Sequence, residues 1–115
     1  MPEFDKKLAQ LQADLNTQGD RVVEQLFTAV EACFGSDNEV AMSVLNCESV
    51  IDQVDVEIER ACIGLLRLGS TEEKGIRSVL TIVKVNNELE RIADCAALVA
   101  EKTLQIDSPI SQAPP

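Results

Sequence analysis

Apolar residues recur along this chain in alternating steps of three and four, the spacing that lines one face of an α-helix. From residue 4 to about 34 the line is Phe4, Leu8, Leu11, Leu15, Val22, Leu26, Val30 and Cys33. Thr17 to Gly19 is its weak middle, where a local bend is expected, and Val23, Phe27 and Phe34 widen the apolar face. Gly35 stops this helix, and Ser36 or Asp37 can cap the next. A second helix, about 38 to 68, carries Val44, Cys47, Ile51, Val54, Ile58, Cys62 and Leu65. Leu68, Gly69 and Ser70 end it, and Ser70 with Glu73 has the spacing of a capping box. The third helix then runs from about 72 to 104. After it, the prolines of SPISQAPP forbid helix and bring almost no core, so a disordered tail is expected over 107–115.

The third helix organises the rest. One line along it passes Ile76, Leu80, Val83, Asn87, Glu90, Asp94, Ala97 and Glu101, and reads as a core seam that turns acidic halfway. A second line, Val79, Ile82, Asn86, Leu89, Ala93, Ala96 and Ala100, stays mostly apolar. Glu90 and Asp94 therefore stand at the border of a packed face. An ionised carboxylate cannot stay unpaired there, so these acids must reach solvent, a cation or a basic side chain. Val85, Ile92 and Val99 add a third apolar line. Short connections make the helices antiparallel neighbours, giving an all-α, elongated antiparallel three-helix bundle over residues 1–106. Two neighbours do not cover so apolar a third helix, which predicts a homodimer.

Composition narrows the function. Aromatics are 3% of the 115 residues, so the core is built of Leu, Val, Ile and Ala. Twenty acids against ten bases give a net charge of −10. That disfavours nucleic acid and anionic membranes, and favours cations or a basic partner. No apolar run is long enough to span a bilayer and the N-terminus lacks a signal-peptide core, so a cytoplasmic protein is expected. Cys33, Cys47, Cys62 and Cys95 form no CxxC pair and read as small buried apolar residues. The chain has no histidine, which removes the usual general base and His-based metal ligands.

On the second helix, Glu48, Asp52, Asp55 and Glu59 form an acidic stripe beside the apolar seam. Two ExxxD spacings stand out, Glu48/Asp52 and Glu90/Asp94, each placing two carboxylates one turn apart on one helix face. Brought together on adjacent helices they would make an all-oxygen site. Such a donor set suits hard cations such as Mg, Mn or oxidised Fe, with Zn also admissible. The competing expectations are a solvated acidic edge on helix two and, on helix three, an ion pair in which Arg91 reaches Asp94 with Glu88 on its other side. No nucleophile–base constellation is visible, so a non-enzyme is expected.

The third helix also resembles the C-terminal part of PhoU domains, a family with a stretch of the form DLRxVLxxLRIxxDLERIGDHAxNIAE. The matching positions are Ile76-Arg77, Val79-Leu80, Glu88-Leu89-Glu90-Arg91-Ile92, Asp94, Ala96, Ala100 and Glu101. LNCESVIDQVDVEIE on helix two is similar to the family's LDxxIDxLExEI, and FDKKLAQLQADL suits its opening helix. The resemblance implies a three-helix bundle and an accessory regulator of phosphate uptake and phosphate-starvation signalling. Its implied partners are a phosphate transporter and a sensor kinase. It implies metal binding through E(D)xxxD motifs, which falls here on Glu48, Asp52, Glu90 and Asp94. Typical members carry two such domains and this chain one, a difference that a homodimer could make up. The family's Gly-Asp-His is Ala93-Asp94-Cys95 here, its Asn before Ile-Ala is Leu98, and its Asp before Leu-Arg is Gly75. Two rival functions follow from the residues alone: a carboxylate-rich metal-binding bundle, or a plain oligomerisation module.

Overall fold

A computed structural model describes residues 2–70 and 72–106 of the chain; the tail expected over 107–115 lies outside the described residues. Three helices account for the fold: α1 (Glu3–Gly35), α2 (Asn38–Leu68) and α3 (Glu73–Ile106). The α1–α2 turn uses its polar residues as expected. Ser36 takes the left-handed conformation at φ 50°, and the Asp37 side chain accepts the Val40 N–H at 3.1 Å. At the next turn the Ser70 hydroxyl accepts from the Glu72 N–H at 3.1 Å, one residue short of the Glu73 position a capping box uses. α1 is helical straight through Thr17–Gly19.

Each helix packs on both others, forming a three-helix bundle with extents of 67 × 20 × 17 Å. The core changes character along its length. At one end Phe4, Leu11, Ile58, Leu65, Val79 and Ile82 interlock. At the other, alanines dominate: Ala29 and Ala32 of α1, Ala41 of α2, and Ala96 and Ala100 of α3. Val22, Ile51 and Ala93 join the two. α1 and α3 run parallel. A Cβ on Gly75 would meet the Phe4 ring at 2.9 Å, and one on Gly19 would meet Leu89 at 3.9 Å. Each α1 residue therefore lies level with the α3 residue about 70 further along the chain.

Several expectations need correction. The line through Ile76, Leu80, Glu90 and Asp94 is not the core seam of α3. Val79, Ile82, Asn86, Ala93, Ala96 and Ala100 are buried instead, whereas Leu80 is exposed and Ile76 and Val83 are half-buried. The bundle rotates α3 so that the more continuously apolar line faces inward, because the alternative would bury the acids. Phe27 and Phe34 do not widen the packed face of α1. They are 65% and 87% exposed, while Ala29 and Ala32 take the interior. Of the four free cysteines only Cys62 is buried; Cys33 and Cys47 are half-buried and Cys95 is exposed.

Candidate functional site

The acids of α2 and α3 meet along the shoulder where these two antiparallel helices pack. The register sets Asp52 against Glu90, Glu48 against Asp94 and Asp55 against Asn86. Both ExxxD pairs thus face each other, and Glu101 adds a carboxylate on the Glu48 side. α-Helical spacing brings Glu48 and Asp52 to one face of α2, and Glu90 and Asp94 to one face of α3. Only the antiparallel alignment makes the two faces coincide.

Asn86 anchors the inner edge of this seam. It is 4% exposed, and its Nδ2 donates to Asp55 Oδ1 at 2.7 Å and to the Asp55 carbonyl at 3.2 Å. Its Oδ1 has no hydrogen-bond partner, and neither has the buried Oε2 of Glu90. Two buried acceptors without donors, beside several carboxylates, make this stretch of the seam locally electron-rich, so that it calls for a proton or a cation.

Electrostatics reflect that deficit. Glu90 is held protonated well above the ordinary range, with its pKa raised to about 7. Burial is the first cause, followed by a hydrogen bond from its acid form to Asp52 and repulsion by Asp52, Asp55 and Asp94. Glu48 is pushed up by burial and then by Asp52, Asp94 and Glu101. Asp55 is pushed up by burial and by Glu59, against the lowering effect of its bond from Asn86. No basic side chain offsets these charges: among the described residues the ion pairs are Lys7–Glu3 at 3.2 Å and Arg91–Glu88 at 3.7 Å. Of the two acids expected beside Arg91, Glu88 pairs with it and Asp94 does not. The expected solvated edge on α2 holds for Asp52 and Glu59, which are exposed, but not for Glu48 and Asp55, which are half-buried.

The site is a seam and not a closed cage. Among the described residues, no three acidic or thiol side chains converge at metal-ligating distances. The oxygen donors fit a hard cation in type and in charge, but their side chains must move inward to share one.

Asn86 is the seam residue that sequence reasoning passed over. Its signal was present: an amide standing in the apolar line of α3, one turn before Glu90. Gln18 is a comparable polar core residue. It is 1% exposed, donates through Nε2 to the Ile51 carbonyl at 2.9 Å and accepts from Arg21 at 2.6 Å. It ties the middle of α1 to α2 at the level of the seam.

Comparison with known proteins bears on this arrangement. The PhoU domain pattern matches residues 15–103. The chain is 28% identical over 103 residues to the phosphate-specific transport system accessory protein PhoU of Serratia marcescens, covering 90% of this chain and 42% of that one. It is 32% identical over 101 residues to PhoU homolog 1 of Thermotoga maritima (88% and 44%), and 31% identical over 104 residues to the PhoU homolog of Streptococcus pneumoniae (90% and 48%). The chain spans less than half the length of these curated relatives. No solved structure gives a significant match. A three-helix bundle whose α2 and α3 bear the facing acidic pairs, matched by that pattern over most of its length, belongs to the PhoU domain family.

Proposed function

We propose that this protein is a non-enzymatic, cytoplasmic regulator of phosphate uptake and phosphate-starvation signalling that works by contact with a phosphate transporter or its sensor kinase. The curated relatives are named accessory proteins of phosphate-specific transport systems. The observation that supports the reading is the α2–α3 seam, along which the Glu48/Asp52 and Glu90/Asp94 pairs face each other within the matched region. No helix of the described residues is long and apolar enough to cross a membrane. The absence of histidine supports a non-catalytic role.

The seam would hold a hard cation such as Mg, Mn or oxidised Fe, or else Zn, through carboxylates of Glu48, Asp52, Glu90 and Asp94. The unpartnered acceptors of Glu90 and Asn86 favour this. A bound cation would supply positive charge that locks α2 against α3 and alters the surface shown to a partner.

Deleting the gene tests the biological role: phosphate uptake and phosphate-responsive expression should both become deregulated, and unchanged behaviour of both rejects it. The metal is tested separately by elemental analysis after gentle purification and by thermal shift with each cation. Stoichiometric metal should be lost in the Glu90→Gln/Asp94→Asn double variant. No metal and no thermal shift would end that part of the proposal while leaving the regulatory role standing.

A further inference from the structure

The opposite shoulder of α3, where it packs beside α1, is apolar and uncovered. In that half of the bundle the usual ordering of side chains is inverted: alanines fill the interior, while Phe27 and Phe34 stand outside. At about 100° per residue, Val23, Phe27, Val30 and Phe34 fall within about 60° of one another on α1. Val85, Ile92, Val99 and Ile106 do the same on the neighbouring flank of α3, at strict seven-residue steps. A contiguous apolar face with two exposed phenylalanines marks an interaction surface.

Its borders say what covers it. The α1 edge is acidic, with Asp20, Glu24 and Glu31 all exposed. The α3 edge carries Lys84, Arg91 and Lys102, all exposed, and one exposed acid, Glu88, which pairs with Arg91 at 3.7 Å. From the parallel register of α1 and α3, Glu31 is level with Lys102 and Asp20 is level with Arg91. At the Glu31/Lys102 level the face is therefore complementary to itself under one operation. A two-fold axis parallel to the helices lays α1 of one copy on α3 of the other at the same height, acid against base. A two-fold axis across the helices in the plane of the face would instead set α1 on α1, acid against acid. The α2–α3 shoulder is no rival, because Glu90, Asp94 and Glu101 interrupt its exposed Leu80 and Leu98.

We propose that a second copy of this chain covers the α1/α3 face about a two-fold axis parallel to the bundle. Phe27 and Phe34 of each copy pack on the Ile92–Val99–Ile106 line of the other, and Glu31 of each pairs with Lys102 of the other. The pairing leaves both acidic seams open on the outside of the dimer. It is independent of the phosphate reading, and either can fail without the other.

Sedimentation equilibrium on the full chain tests it. The wild-type chain should be dimeric within a range of about 1–200 μM, and a monomer throughout overturns the proposal. Phe27→Glu/Phe34→Glu should weaken the dimer by at least ~100-fold with helical circular dichroism unchanged. A dimer undisturbed by that change also overturns it. Glu31→Lys and Lys102→Glu should each weaken pairing ~3–10-fold, and their combination should restore it. Both positions are exposed, so this second test survives if the phenylalanine variant fails to fold. Failure of the combined variant to recover rejects the assigned symmetry.

Discussion

The two shoulders of α3 present opposite problems. Half a turn apart on one helix, the α2 side gathers carboxylates with no basic partner, and the α1 side gathers aliphatic and aromatic surface with no cover. Each is incomplete in its own currency. The acidic seam can be completed by something as small as a proton, which Glu90 already holds up to a pH of about 7. The apolar face needs a body large enough to exclude water from it. One helix thus keeps uncompensated charge on one shoulder and uncovered apolar surface on the other. The offsets between the Glu90/Asp94 line and the Val85/Ile92/Val99 line are two and five residues, about 200° and 140° around the helix, which keeps them on different faces.

The largest effect should come from cutting the inner edge of the seam. Asn86→Ala removes both bonds to Asp55 and leaves a void, and should cost about 2–3 kcal/mol in urea unfolding. A loss below about 0.5 kcal/mol would mean that the amide is not structural.

Next comes the charge itself. The pKa of Glu90 is raised from 4.5 to about 7, so the folded state binds the proton more tightly than the unfolded chain does. The stabilisation this gives is complete below about pH 4.5 and is lost as pH rises through 7. Glu90→Gln keeps a neutral side chain at every pH. In chelator, it should leave stability near pH 4.5 unchanged and raise it at pH 8 by about 1–2 kcal/mol, after allowance for partial solvent screening. A pH-independent effect would show that repulsion across the seam is not the cause.

The smallest effect belongs to the other shoulder. Phe34→Ser, at a position 87% exposed, should change the stability of dilute protein by less than about 0.5 kcal/mol. At high concentration the same substitution should lower the melting temperature, because it removes area that only the dimer buries. Equal losses at both concentrations would place Phe34 in a monomer contact and collapse the contrast between the two faces.

How much of this was legible beforehand varies by residue. The helices were readable because apolar spacing directly reports a helical face, and the Asp37 cap because a carboxylate before Val40 can take only a few local roles. The four acids of the ExxxD pairs were readable as pairs within each helix. Asn86 was not readable as an anchor, because an amide in an apolar line can equally face a gap, a water or a partner. The burial line of α3 was misassigned for a related reason. Its two apolar lines are adjacent, and the choice between them depends on which one the other helices can cover without burying acid. Phe27 and Phe34 were misplaced because residue type favours burial for phenylalanine, whereas the alanines of all three helices bring the backbones too close to admit it.

The local pattern of side chains determined the helices, their ends, and the one-turn spacing of each carboxylate pair, since these follow from the 3.6-residue geometry of a single segment. Only the packed bundle decided that Asp52 meets Glu90, that Glu48 meets Asp94 and that the phenylalanines stay outside. Those facts depend on the rotation and stagger of one helix against another. Rotation and stagger are set by how volumes fill the shared core, which no single stretch of the chain contains.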